Sequence, residues 1–357
     1  MTLRRTDPRR AARRADRAVY LRSHPVLFAL LAATRHRPLL RLGRTVLVHH
    51  PDAYRQILTK VPLDRTAEHT TGGTAARLTG GGLLFDQSGA EHRASRRALG
   101  HLLSSEGIAE LRPGWHQLID SRLTGGRVDL VPVVRLLAGT TATALTGSTA
   151  DPLELARAAE RVAAATARTH LPGLPRPGAR RRARAAAEQL RLLLPDPQDA
   201  MLAVAAVNTT LAALPRAVAW CARAHWWDRA RQDPDALAAE LLRLTAASPV
   251  LPRAAAAEAT VLGHRLRPGD RLLLVARHAA QAHRDTPDHP LATRAPFGLG
   301  PHTCPGAALA RAQLTTLLTT LTPHHPRLHR TTPNPRSALP SYRTCLLTLR
   351  GTPSGAY

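Results

Sequence analysis

Cys304 lies in the segment Phe297–Arg311, F-G-L-G-P-H-T-C-P-G-A-A-L-A-R, where the chain is best equipped for chemistry. Gly298 and Gly300 precede the thiol and permit a tight loop with unusual dihedrals and exposed N–H groups. Those donors can reach the sulfur. Gly306 follows at the predicted start of a helix, where an anionic thiolate is favoured and its pKa lowered. Phe297 can pack over the loop. Together these residue types describe a shielded thiolate able to ligate a metal. A lone cysteine is more often an inert buried residue, but the glycines, His302 and Phe297 crowded into one short window argue otherwise.

Four further sets stand out. Glu240 and Arg243 in A-L-A-A-E-L-L-R-L are three apart, on one helical face, and can pair. Exposed pairs of this kind contribute little; a buried one, once broken, strands a charge at several kcal/mol. His92 and Arg96 in A-E-H-R-A-S-R-R are four apart and share a face in the same way. Arg253 follows in S-P-V-L-P-R. Ala205-Ala206-Val207-Asn208-Thr209-Thr210 sets polar side chains in an apolar helical stretch.

Positioning these residues requires mostly helices. The patterning predicts helices over 88–103, 129–146, 151–168, 198–224, 234–247 and from near Cys304 to the prolines at 323 and 326. Pro51 opens another. Strand-like segments are Thr45–His50, the alternating stretch Ala259–Val275 around Pro-Gly-Asp, and Cys345–Leu349. Loops are expected at 65–84 and 285–303, with a proline-rich break at 171–183 too short to divide the chain. Residues 1–24 are arginine-rich and expected to be a poorly ordered tail.

The window F-G-x-G-x-H-x-C-x-G resembles the haem-binding loop of the cytochrome P450 family, and the resemblance extends over most of the chain. It implies a mainly α fold with a minor β sheet, one P450 domain over 1–357, and shortened helices over the substrate pocket, because the span between His92 and Thr209 is compressed. The implied cofactor is haem b, iron protoporphyrin IX, with Cys304 as axial ligand. His92, Arg96, Arg253 and His302 would bind its propionates through charge-assisted bonds. Glu240 and Arg243 would form the family's buried pair, with Arg294 as third partner. The family sequence A-G-x-[Asp/Glu]-T-T corresponds to 205–210. Here Ala206 replaces the glycine that opens space over the haem, and Asn208 replaces the acid that works with the threonine, Thr209, in proton delivery. An amide cannot exchange a proton near neutral pH as a carboxylate can.

The resemblance therefore implies a monooxygenase supplied by a ferredoxin and ferredoxin reductase, acting on a small-molecule substrate in secondary metabolism such as antibiotic biosynthesis. The altered Asn208 position supports an alternative, a peroxygenase, dehydratase or isomerase that dispenses with the usual relay. A non-catalytic haem-binding recruitment protein ranks third, because such a protein need not keep these motifs.

Composition is compatible with this reading. The formal charge is +25, yet 49 of the 50 basic residues are arginine (50 − 1, for Lys60), spread along the whole chain. That bias reads as high-GC coding rather than a selected patch, so no specific nucleic-acid partner is expected. The three cysteines lack C-x-x-C spacing and fit a reducing cytoplasm. The apolar run at 25–34 falls short of the roughly 20 residues that cross a bilayer. A cytoplasmic monomer without a membrane anchor is expected.

Overall fold

The computed structural model describes residues 7–74, 81–124, 126–170 and 177–349. Its centre is a 28-residue helix, Pro197–Ala224. Four helices begin at Asp-Pro: Pro8–Ser23, Pro152–His170, Pro197–Ala224 and Pro234–Thr245. The aspartate accepts from N–H groups of the first turn and the proline has no N–H to leave unsatisfied. Asp196, for example, accepts from Gln198 at 2.6 Å and Asp233 from Ala236 at 2.9 Å.

The long helix is packed by Leu130–Thr146, Pro152–His170, Pro8–Ser23, Pro234–Thr245 and Ala307–Leu321. Every residue from Thr210 to Ala222 is buried, Trp220 and Arg216 included. Among the described residues it is the one helix long and apolar enough to cross a membrane, and most of it lies inside the protein. Pro152–His170 pairs with Ala179–Leu193, and only three residues separate the latter from the long helix. Helices Gly89–Leu102 and Ser105–Asp120 complete the compressed span.

Among the described residues ten strands form three sheets. They are β1 (Leu39–Leu42), β2 (Thr45–Val48), β3 (Leu63–Asp64), β4 (Arg127–Asp129), β5 (Leu251–Ala255), β6 (Ala259–Val261), β7 (His264–Leu266), β8 (Arg271–Leu274), β9 (Arg327–Pro333) and β10 (Tyr342–Thr348). The orders are β1-β2-β8-β5-β3, β4-β10-β9 and the hairpin β6-β7. β2 and β8 pair in parallel, Thr45 with Arg271 through Val48 with Leu274; Arg253 of β5 pairs with Leu272. The first sheet thus joins Arg253, from the last third of the chain, to the N-terminal strands.

The expected N-terminal tail is instead structured from residue 7 onward. Pro8–Ser23 is a helix, and Ala12, Asp16, Val19, Tyr20 and Ser23 form its buried stripe. The arginines at other positions obscure that stripe in the sequence. Asp16 completes it, because its carboxylate neutralises two arginines from distant elements. Its Oδ1 accepts from Arg216 Nε at 2.9 Å and Nη2 at 2.6 Å, and its Oδ2 from Arg277 Nη1 at 2.9 Å. The Tyr20 ring lies between the same two guanidinium groups, 4.4 Å from Arg216 and 4.0 Å from Arg277. The 179–183 part of the expected break is helical, and residues 171–176 of it, like 75–80 of the expected loop, lie outside the described residues.

Candidate haem-thiolate site

Two short 3-10 turns, Ala295–Phe297 and Gly300–His302, carry the chain to Cys304. Cys304 N–H donates to Phe297 O at 2.8 Å, closing the loop on itself. Gly300 has φ +73°, and a Cβ there would come 2.6 Å from Leu58 O of helix Pro51–Lys60. Only glycine permits that approach. Gly298 is left-handed too, at φ +75°. The helix expected near Cys304 starts at Ala307, with Gly306 as its cap. A Cβ on Gly306 would lie 3.9 Å from the Cys304 sulfur.

Burial raises the Cys304 pKa, while the Gly306 N–H and the Arg96 charge oppose that rise. The side chain nevertheless has exposed area. The other thiols differ: Cys221 and Cys345 are buried outright and belong to the core. Burial pushes Cys345 up to about 12.

The predicted basic residues converge. The His92 and His302 rings lie 4.2 Å apart between centroids. Arg96 Nη1 donates to Thr303 O at 2.7 Å, tying its helix to the cysteine loop. Arg253 Nη1 donates to Pro252 O at 2.8 Å, but its Nε is buried without a partner, as is His302 Nδ1. Burial, then Arg65, His92, Arg253 and Arg96, push the His302 pKa down to about 3. This concentration of like charge is costly unless something anionic meets it.

Arg65 is the member that the sequence did not disclose. Its Nε donates to Phe85 O at 3.2 Å and its Nη1 is buried without a partner. Burial and Arg253 push its pKa down to about 9, offset in part by Asp86, with which it forms no ion pair among the described residues. Arg65 follows the two-residue strand β3, in a segment the patterning marks only as loop. The one available signal was an arginine two positions after the short run Val61-Pro62-Leu63.

These orphaned donors fit haem b. Arg65 Nη1, Arg253 Nε and His302 Nδ1 match the demand of two buried carboxylates, and Cys304 is the thiol on the adjoining loop.

Arg243 is fully buried and donates twice to Glu240, Nε to Oε2 and Nη2 to Oε1, both at 2.7 Å. Its remaining donors reach the carbonyls of Ala280 at 3.0 Å, Gln281 at 2.8 Å and Arg284 at 3.2 Å. Arg294 is not brought to this pair: its side chain is exposed, and backbone carbonyls take the place expected for a third partner. A turn ending in free carbonyls satisfies a buried guanidinium without a second ion.

Ala205, Ala206, Asn208 and Thr209 are only half-buried, although every residue from Thr210 to Ala222 is buried. Thr209 Oγ1 donates to Ala205 O at 2.8 Å. Asn208 Nδ2 donates to Val204 O at 2.8 Å and to Ala159 O of helix Pro152–His170 at 3.3 Å. Thr210 donates to Gln313 Oε1 at 3.2 Å, and Gln313 in turn to Thr141 at 2.9 Å, which anchors this stretch to the cysteine helix.

Comparison with solved structures settles the architecture: this is the cytochrome P450 fold. A mutant of P450 EryK in complex with erythromycin B superposes with a TM-score of 0.69 at 19% identity, over 94% of this chain and 99% of that one. CYP109E1 from Bacillus megaterium, in complex with testosterone, gives 0.71 at 16%, over 93% and 99%. CalO2 gives 0.71 at 21%, over 94% and 98%. At such identities the likeness establishes the fold. No protein-family model matches the chain, and no curated protein matches it in sequence.

Proposed function

We propose that this protein is a haem-thiolate monooxygenase that binds haem b and oxidises a small organic molecule. One observation carries the reading: in a P450 fold, an accessible thiol at the start of a helix shares its loop with His302, whose Nδ1, like Arg253 Nε and Arg65 Nη1, is buried without a partner. Haem, when bound, supplies the oxygen-activating redox chemistry. The chain's own residues divide the rest of the work. Cys304 ligates the iron as thiolate, and the Gly306 N–H helps hold the sulfur anionic. Arg65, Arg253, His92, Arg96 and His302 hold and neutralise the propionates. Glu240 and Arg243 brace the turns before the loop. Thr209 would relay a proton, and the Asn208 amide ties its helix to Pro152–His170.

The reading extends to one domain, a cytoplasmic monomer, electrons from a ferredoxin and ferredoxin reductase, and no specific nucleic-acid partner. The erythromycin B and testosterone bound by similar folds support a small-molecule substrate, and the former a place in secondary metabolism. A second reading, peroxide-driven or oxygen-independent chemistry, is favoured by one observation: the Asn208 amide is spent on two backbone carbonyls and carries no exchangeable acid proton.

The test is the reduced carbon monoxide spectrum. Cys304→Ala removes the thiolate-type band, whereas Cys221→Ala and Cys345→Ala keep it. A thiolate band surviving in Cys304→Ala overturns the ligand assignment. Product from peroxide alone, with none from dioxygen and a ferredoxin system, selects the second reading.

A further inference from the structure

A pocket of about 290 Å3 opens between the first two helices, Pro8–Ser23 and Pro25–Ala33, and the turns that follow β8. Its walls are of two kinds. One is basic: Arg13, Arg17, Arg35, Arg277, His278 and His283. The other is apolar and includes Phe28 and Leu31.

The acids within reach are already engaged. Asp16 holds Arg216 and Arg277, and Asp285 holds Arg13. Arg17 and Arg35 have no ion pair among the described residues, and His283 Nδ1 is buried without a partner. His278 is fixed in orientation. Thr34 spends its proton on Leu30 O, so it accepts from His49 Nε2; His49 Nδ1 then accepts from His278 Nδ1 at 2.8 Å. Burial, then Arg35, Arg284, Arg277 and Arg13, push His283 down to about 4.

We propose that this pocket binds a small organic anion, a carboxylate or phosphate ester with a short aryl or alkyl group. Arg17, Arg35 and His283 hold the charged head, and Phe28 and Leu31 cover the apolar part. The volume lies just below the roughly 300–1,000 Å3 of ligand pockets, which suits a small head group with a short apolar part. Among the described residues no three metal-ligating side chains gather, so a cation is not the fit. The site lies apart from the Cys304 loop and does not depend on the haem reading.

The purified protein is titrated calorimetrically with phenyl phosphate, benzoate and inorganic phosphate at constant ionic strength. One aryl anion binds per chain, about tenfold tighter than inorganic phosphate, and the better of phenyl phosphate and benzoate identifies the head group. The double variant Arg17→Ala/Arg35→Ala loses about tenfold or more in that affinity. Arg180→Ala/Arg184→Ala, which removes the same charge from an exposed helix, loses less than about twofold. The proposal fails if neither aryl anion binds saturably at millimolar concentration. It fails equally if inorganic phosphate binds as well, or if both double variants behave alike.

Discussion

Two buried groups of arginine in this molecule are built on opposite principles. Around Arg216, charge is balanced from within. Its Nε and Nη2 donate to Asp16, its Nη1 to Pro340 O at 3.2 Å, and its Nη2 also to Thr245 O at 2.7 Å. Burial alone would lower its pKa, yet Asp16 and Tyr20 outweigh burial and raise it. Around Arg253, charge is left open. Burial lowers the Arg253 pKa, with only the neighbouring Tyr54 phenol opposing, and Nε has no partner. A protein that needed both groups only for stability would have paired both. The unpaired one is where an external anion belongs, and the contrast separates a structural network from a binding site on physical grounds.

Breaking the balanced group should have the largest effect. Asp16→Asn strands Arg216 in the core and should cost about 3–5 kcal/mol, seen as a lower urea midpoint in the haem-free and haem-loaded protein alike. If the midpoint hardly moved, the two groups would not differ as described. Arg253→Ala should do the reverse. Haem-free stability should hold or rise, because an uncompensated cation is removed, while haem affinity falls by about ten- to a hundredfold, the worth of one charge-assisted bond. Arg65→Ala should follow the same pattern more weakly. An equal loss of haem-free stability in either variant would place these arginines in the scaffold.

A third cluster refines the comparison, because it responds to pH. His49 is pushed down to about 4 and His278 to about 2, chiefly by burial. Both are neutral in the fold, whereas the unfolded chain takes up their protons below the ordinary value of 6.5. The unfolded state therefore binds more protons, and stability falls as pH drops from 6.5 towards 4. His278→Gln should flatten that dependence, measured by urea unfolding across this range. The smallest effect is expected at Asn208. If dioxygen is the oxidant, Asn208→Asp should keep or modestly raise product per electron, and Thr209→Ala should divert electrons to peroxide. No diversion in Thr209→Ala would remove the proton relay from the account.

What could be read in advance was what is contiguous in the chain. The Phe297–Gly306 loop is legible because its glycines, thiol and histidine lie close together in the sequence, and the left-handed dihedrals of Gly298 and Gly300 follow from their residue type. Glu240 with Arg243 was legible for the same reason, being one helical turn apart. The helices came from periodicity, and one start, at Pro51, from proline at the first helical position.

Tertiary structure alone decided the rest, because the remaining interactions join residues far apart in sequence. Asp16 meets Arg216 across 200 positions, so an arginine-rich N-terminus that reads as a solvated tail is part of the core. Arg65 becomes a cofactor candidate only when β3 pairs with β5 and brings it towards Arg253. Arg294 stays outside because the carbonyls of residues 280–284 reach Arg243 first. Chain-local chemistry selects the reactive loop, and charge compensation across the fold selects which distant residues serve it. Only a folded chain has a low-dielectric interior in which an unpaired charge costs enough to matter.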